Sequence, residues 1–330
     1  MNTSAETLGA IDTLPDQTGL TGTGTYLLTG VGDHVGQSGQ SCLQLTLEDA
    51  TGRIIGFVWP ECRPHLACPA TPLPVAVTGL VQVFQGHAQI KVRTLTPLVV
   101  EQVACATALL PRRRCPDNAL PALERLSQLE QALPDPLDGF LRSVLLDPAI
   151  GLPFLRCRAS VNHHHADVGG LLMHSTEMLD LAAELTRRII PRDAWSPHLA
   201  QLGYLLHDLG KLRTVGELRR PHYALVVPHE FATIELLAPH LRRLEQRDLA
   251  LATALRHLFS YLAAPGKTRT TPSHVVAEIV EKLDQLSAAS HNQRDIDYLL
   301  EGRRRAPTRE PSHRRPAPAS PLHPALRAAG

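Results

Sequence analysis

What this chain lacks narrows it before any motif does. No apolar run approaches the roughly twenty residues that span a bilayer, so no membrane partner is expected. No N-terminal basic-plus-apolar segment reads as a signal peptide, and the six cysteines (Cys42, Cys62, Cys68, Cys105, Cys115, Cys157) form no disulfide framework. A cytoplasmic protein is expected. Excess charge is missing too: 33 Lys and Arg face 32 Asp and Glu, which excludes a histone-like binder and leaves only local patches. Cys62, His65 and Cys68 have the spacing of a zinc clip but offer three ligands and no CxxC partner, so the reading is a Pro-rich loop with free thiols.

What is present is uneven along the chain. From Arg303 onward seven Arg stand against the single Glu310; set against a total of +1, the remainder carries about five net negative charges. Residues 1–20 have no periodicity and read as a flexible lead-in. Strand patterns follow at Thr25 to Val31, at the strictly alternating Leu43 to Leu47, at Arg53 to Trp59 after an Asp49-Ala50-Thr51-Gly52 turn, at Val75 to Phe84, and at Gln89 to Arg93. Five short strands over 21–98 predict a small closed barrel. Gln89, Lys91 and Arg93 share one face of the last strand, where Lys91 and Arg93 are candidates for a phosphate backbone. Phe57 and Trp59 share a face with Ile55, and core packing is the expected role of Trp59.

A linker over 99–121, with a basic knot at Arg112-Arg113-Arg114, leads into helical periodicity over 122–292. One long helix is expected from Leu171 to about Ile190, with the stripe Leu171, Met178, Ala182, Leu185 and Ile189. Residues 293–330, rich in Arg and Pro, read as a disordered tail. Within the helical region, Tyr204-Leu205-Leu206-His207-Asp208-Leu209-Gly210-Lys211 closes an apolar helix with two metal-ligating groups. A buried aspartate needs a proton, a cation or a metal beside it. His174, His229, His257 and Asp284 each lie near an apolar stripe of another helix, and nitrogen and oxygen ligands from separate helices can converge on a divalent cation.

The order His174, His207-Asp208, Asp284 resembles the signature of the HD superfamily of metal-dependent phosphohydrolases. His229 and His257 match the extra pair of its two-metal members. The barrel resembles an OB-fold of the nucleic-acid-binding kind, its motif read over Leu43 to Ile54 and Val77 to Val81. An OB-fold barrel followed by an all-α HD bundle is the layout of the YhaM-like 3′-to-5′ exoribonucleases, while the histidine run before Gly169-Gly170 is also similar to the TraI-type HD domain of conjugative relaxases. The resemblance implies two divalent ions, manganese first with magnesium or iron as alternatives, held by His174, His207, Asp208, His229, His257 and Asp284. It implies a hydrolytic role for Asp208, with Lys211, His164 and His165 at the phosphate, and single-stranded nucleic acid, RNA ahead of DNA, as substrate. Other readings are an HD nucleotidase, a cyclic-nucleotide phosphodiesterase, or a nucleic-acid-binding accessory of a mobile element. A homo-oligomer is left open.

Overall fold

The computed structural model describes residues 6–36, 39–65, 71–161, 165–218, 222–264 and 274–289. Its N-terminal part consists of β1 (Glu6–Thr7), β2 (Thr21–Val35), β3 (Ser41–Glu48), β4 (Arg53–Val58), β5 (Leu73–Phe84) and β6 (His87–Pro97). Strands β2 to β6 close on themselves in the order β2-β3-β4-β6-β5-β2, antiparallel except for the β4–β6 pair; β1 adds a short parallel edge to β2. Closure depends on the length of β2, which pairs with β5 through Thr21–Leu28 and with β3 through Leu27–Val35. A bulge between Leu28 and Gly30 bends it from one partner to the other.

The alternation read from the sequence sets the interior. Leu45, Leu47, Ile54, Val58, Val77, Val81, Ile90 and Val92 are buried together. The hairpin after β3 is tightened by Asp49, whose carboxylate accepts from the Thr51 N–H at 2.7 Å and the Gly52 N–H at 2.9 Å. The same carboxylate accepts from Ile11 N–H at 2.8 Å. Residues 6–17 are therefore no loose lead-in, since Leu8, Ile11 and Leu14 plug the barrel. Trp59 also departs from expectation: Ile54, Gly56 and Val58 point inward, so Ile55, Phe57 and Trp59 lie half-buried on the outer face. Tyr26 is the buried aromatic, donating its hydroxyl to Gly9 O at 3.0 Å. Cys62 packs against the barrel core; Cys68 lies outside the described residues.

The second part is helical: α1 (Leu120–Ala132), α2 (Leu137–Leu145), α3 (Gly151–Phe154), α4 (Gly170–Thr176), α5 (Leu179–Ile189), α6 (Ser196–Leu206), α7 (Lys211–Thr214), α8 (His229–Glu245), α9 (Leu249–Ala263) and α10 (275–289). The single helix expected from Leu171 breaks at Glu177 and Met178. The break shifts the helical phase, so α5 buries Leu179, Ala182, Ala183 and Thr186 while Ile189 is exposed. Helix α6 is buried on all sides, as its run of leucines demands. Each such leucine contributes about 1.5–3 kcal/mol by leaving water.

The connector before α1 belongs to this second core. Val103, Ala106, Leu109 and Leu110 are buried among the helices, as is Leu27 of β2. The buried Glu130 carboxylate accepts from Ala106 N–H at 2.6 Å and Thr107 N–H at 2.8 Å, which ties the connector to α1. The arginines of the basic knot are engaged. Arg113 and Arg114 close on the buried Glu48 at the end of β3, and Arg112 pairs with Glu124 at 3.3 Å. Ala50 N–H donates to Ala108 O at 2.8 Å, joining the barrel's hairpin to the connector. Among the described residues no helix is long and apolar enough to cross a membrane.

Candidate metal centre

Four segments meet at one point inside the bundle. The first is the turn after α6. His207 caps that helix, and its Nδ1 donates to Tyr204 O at 2.7 Å, which leaves Nε2 as the lone-pair nitrogen. Asp208 follows, almost fully buried. The turn is locked to α8 by Thr233, whose hydroxyl accepts from Gly210 N–H at 2.8 Å and donates to His207 O at 2.9 Å. Gly210 is required there, because a Cβ would stand 1.8 Å from His229 O. His229 thereby begins α8 directly against the turn, with Nε2 at 3.0 Å from Asp208 Oδ1. Helix α4 supplies His174 and α10 supplies Asp284.

The four inner ligand atoms are His174 Nε2, His207 Nε2, Asp208 Oδ2 and Asp284 Oδ1. The nitrogen-to-oxygen separations are 3.3 and 3.2 Å from His174, and 3.4 and 3.5 Å from His207. Those are the edges of a polyhedron around an ion with bonds of about 2.0–2.2 Å. His207 Nε2 is buried and has no hydrogen-bond partner among the described residues. A lone pair facing two carboxylate oxygens across such distances is repulsive unless a proton or a metal cation stands between them, so the donor set fits a divalent metal that displaces the proton.

The ionisation of the cluster follows the same logic. Burial alone would lower the His174 pKa, but Asp208, Asp284 and Glu177 override it and raise it to about 11. Burial alone would raise Asp208 and Asp284. The neighbouring His207 and Lys211 hold Asp208 well below the usual carboxylate range, and His174 and His207 beside it do the same for Asp284. His229 is raised by Asp208 against its own desolvation. Lys211 forms an ion pair with Asp208 Oδ2, one turn back.

The remaining sequence-derived residues are distributed as follows. His257 is not brought to the cluster: it stands beside His274 and Tyr261, with ring centroids 5.3 and 6.3 Å away. The reason is helical phase. A cavity of about 160 Å³ next to the cluster is walled on the α9 side by Phe259 and Leu262, roughly 140–160° around the helix from position 257. His164 lies outside the described residues. His165 is described, and its Nε2 sits 3.2 Å from Glu177 Oε2. Glu177 itself was passed over by sequence reasoning, although it follows His174 by three residues and so lies one turn on. Its Oε1 is 3.1 Å from His174 Nδ1, and it accepts from Ser287 Oγ of α10. Lys91 and Arg93 lie exposed on β6, Lys91 paired with Phe57 of β4.

Residues 171–289 match the HD domain family. The chain is 27% identical to the 3′-5′ exoribonuclease YhaM of Halalkalibacterium halodurans over 57% of each chain. It is 24% identical to YhaM of Bacillus subtilis over 77% of this chain and 80% of that one, and 24% identical to YhaM of Bacillus velezensis over 80% and 83%. By family match residues 171–289, the part of the helical region that carries the cluster, are an HD domain, and they follow a closed OB-like barrel.

Proposed function

We propose that this protein is a metal-dependent phosphodiesterase that removes nucleotides from the 3′ end of single-stranded RNA. The observation that carries the reading is the buried His207 Nε2, aimed with His174, Asp208 and Asp284 at one point beside an open cavity. The relatives named exoribonucleases extend across barrel and bundle alike. His174, His207, Asp208 and Asp284 would hold one divalent ion, manganese first, with magnesium and iron also suited to such a ligand set. Bound there, the ion supplies a Lewis acid that acidifies a water and neutralises phosphoryl charge. We assign one ion and not two, because α9 turns Phe259 and Leu262, not His257, toward His229. His229 Nε2, open to the cavity and 3.0 Å from Asp208 Oδ1, is placed to carry a proton to the leaving oxygen. Phe259, Leu262 and Val280 provide an apolar wall for the terminal nucleoside. The test is digestion of 5′-labelled single-stranded RNA with and without Mn²⁺, beside DNA of the same sequence. A ladder shortening from the 3′ end only with the ion is expected; internal cuts, or activity unchanged by chelation, would overturn the proposal.

The barrel would hold the strand. A cavity of about 600 Å³ opens on its outer face, lined by Phe57, Trp59, Phe84 and His34 together with Gln82, Gln85 and Gln89. Among the described residues no carboxylate or ammonium lines it, which suits bases, and Lys91 and Arg93 are exposed farther along β6 for phosphates. Base–aromatic stacking is worth about 1–3 kcal/mol per base, so Trp59→Ala with Phe84→Ala should weaken RNA binding at least about tenfold. Fluorescence anisotropy with a labelled strand measures this. Hydrolysis of bis(p-nitrophenyl) phosphate should stay unchanged; equal loss on both substrates would assign these aromatics a structural role.

A further inference from the structure

One carboxylate touches the ligand cluster without entering it. Glu177 lies at the break between α4 and α5, and its two oxygens face two different histidines: Oε1 is 3.1 Å from His174 Nδ1, and Oε2 is 3.2 Å from His165 Nε2. Two further elements fix the carboxylate. Ser287 of α10 donates to it, and the Tyr204 hydroxyl of α6 stands 3.5 Å away. The loop on its other side is held in an unfavourable shape. His165 has φ +55°, a left-handed conformation costing a β-carbon residue on the order of 1 kcal/mol. It is kept there by the Ala159 N–H, which donates to His165 O at 3.0 Å, and by Gly170, where a Cβ would meet that same carbonyl at 2.0 Å. The surroundings thus bring His165 to Glu177 against backbone preference.

We propose that Glu177 is a positioning residue for the metal centre. Its carboxylate keeps the proton of His174 on Nδ1, which turns the Nε2 lone pair toward the ion, and its second oxygen ties that ligand to the His165 loop. This rests on the metal-binding reading above. Ion affinity then depends on a residue that never contacts the ion, as carboxylate–histidine–metal relays do elsewhere. The chemistry is specific to a carboxylate. A carboxamide offers one oxygen and an N–H₂ group, so it cannot accept from both imidazoles, although it fills the same space.

The experiment is calorimetric titration of the full chain with Mn²⁺, for the parent, Glu177→Gln, Glu177→Ala and His174→Ala. The Glu177 variants should bind about 10–100-fold more weakly, with unchanged stoichiometry and unchanged circular dichroism. His174→Ala should lose the ion. A second readout is the imidazole ¹⁵N spectrum of the Mg²⁺-loaded protein, in which His174 should be protonated on Nδ1 in the parent and should lose that signature in Glu177→Ala. Affinities within about twofold of the parent in both Glu177 variants, with His174→Ala inactive in binding, would overturn the positioning role alone. Parent-like binding by His174→Ala would overturn the metal centre, and the relay with it.

Discussion

Asp208→Asn is expected to remove phosphodiester hydrolysis, with kcat/KM falling by at least about a thousandfold while the helical content is kept. Asp208 reaches His174, His207, Lys211 and His229. Its Oδ2 is 3.3 Å from His174 Nε2 and 3.4 Å from His207 Nε2, and it pairs with Lys211; its Oδ1 is 3.0 Å from His229 Nε2. Asparagine keeps the volume but removes the charge that draws the ion, the lysine and the imidazoles together. It also turns an N–H₂ group toward Lys211 or His229, each of which pairs with a carboxylate oxygen there. Steady-state kinetics on a small chromogenic diester, together with circular dichroism, decides the matter. A folded Asp208→Asn protein with parental turnover would mean that hydrolysis takes place elsewhere.

The second large effect is a pH dependence of ion binding. In the metal-free protein the His174 pKa is raised to about 11, so near neutrality this imidazole is protonated and an incoming ion must displace the proton. Higher pH therefore favours the ion. Apparent affinity should climb about tenfold per pH unit below that pKa, or about a hundredfold between pH 6.5 and 8.5. Stability of the metal-free fold runs the other way: a raised pKa stabilises fully below the unfolded value and that contribution is lost as pH climbs toward about 11. Titration in two buffers of different ionisation enthalpy should give one proton released and one ion bound per chain. A pH-independent affinity, or saturation at two ions, would contradict the assignment.

Much of this centre was legible because its residues break local rules. A histidine and an aspartate at the end of an all-apolar helix conflict with burial, and such conflict marks function. The barrel was legible through alternation, most clearly at Leu45 and Leu47, and through the Asp49 turn. What stayed hidden depended on information that order along the chain does not carry. His257 falls in the expected sequence position, yet the phase of α9 turns it away from the cavity. Glu177 was hidden by a helix break that the leucine stripe ran straight through, and Ile189 was misplaced for the same reason. The segment before β2 and the connector before α1 have no period at all; their apolar side chains are seated through long-range partners, among them the Asp49 and Glu130 carboxylates.

The joint between barrel and bundle has one more implication. Leu27 of a barrel strand lies in the helical core, Glu48 is clasped by Arg113 and Arg114, and the hairpin at Ala50 is bonded to the connector. Such contacts resist a swing of the barrel against the bundle. If the strand is gripped on one side of it and trimmed on the other, the separation is a fixed ruler built into the protein. With RNA as the proposed substrate, a long strand would reach both stations at once, and a remnant shorter than the ruler only one. Digestion would then slow at a definite remnant length set by the joint, whatever the sequence of the strand.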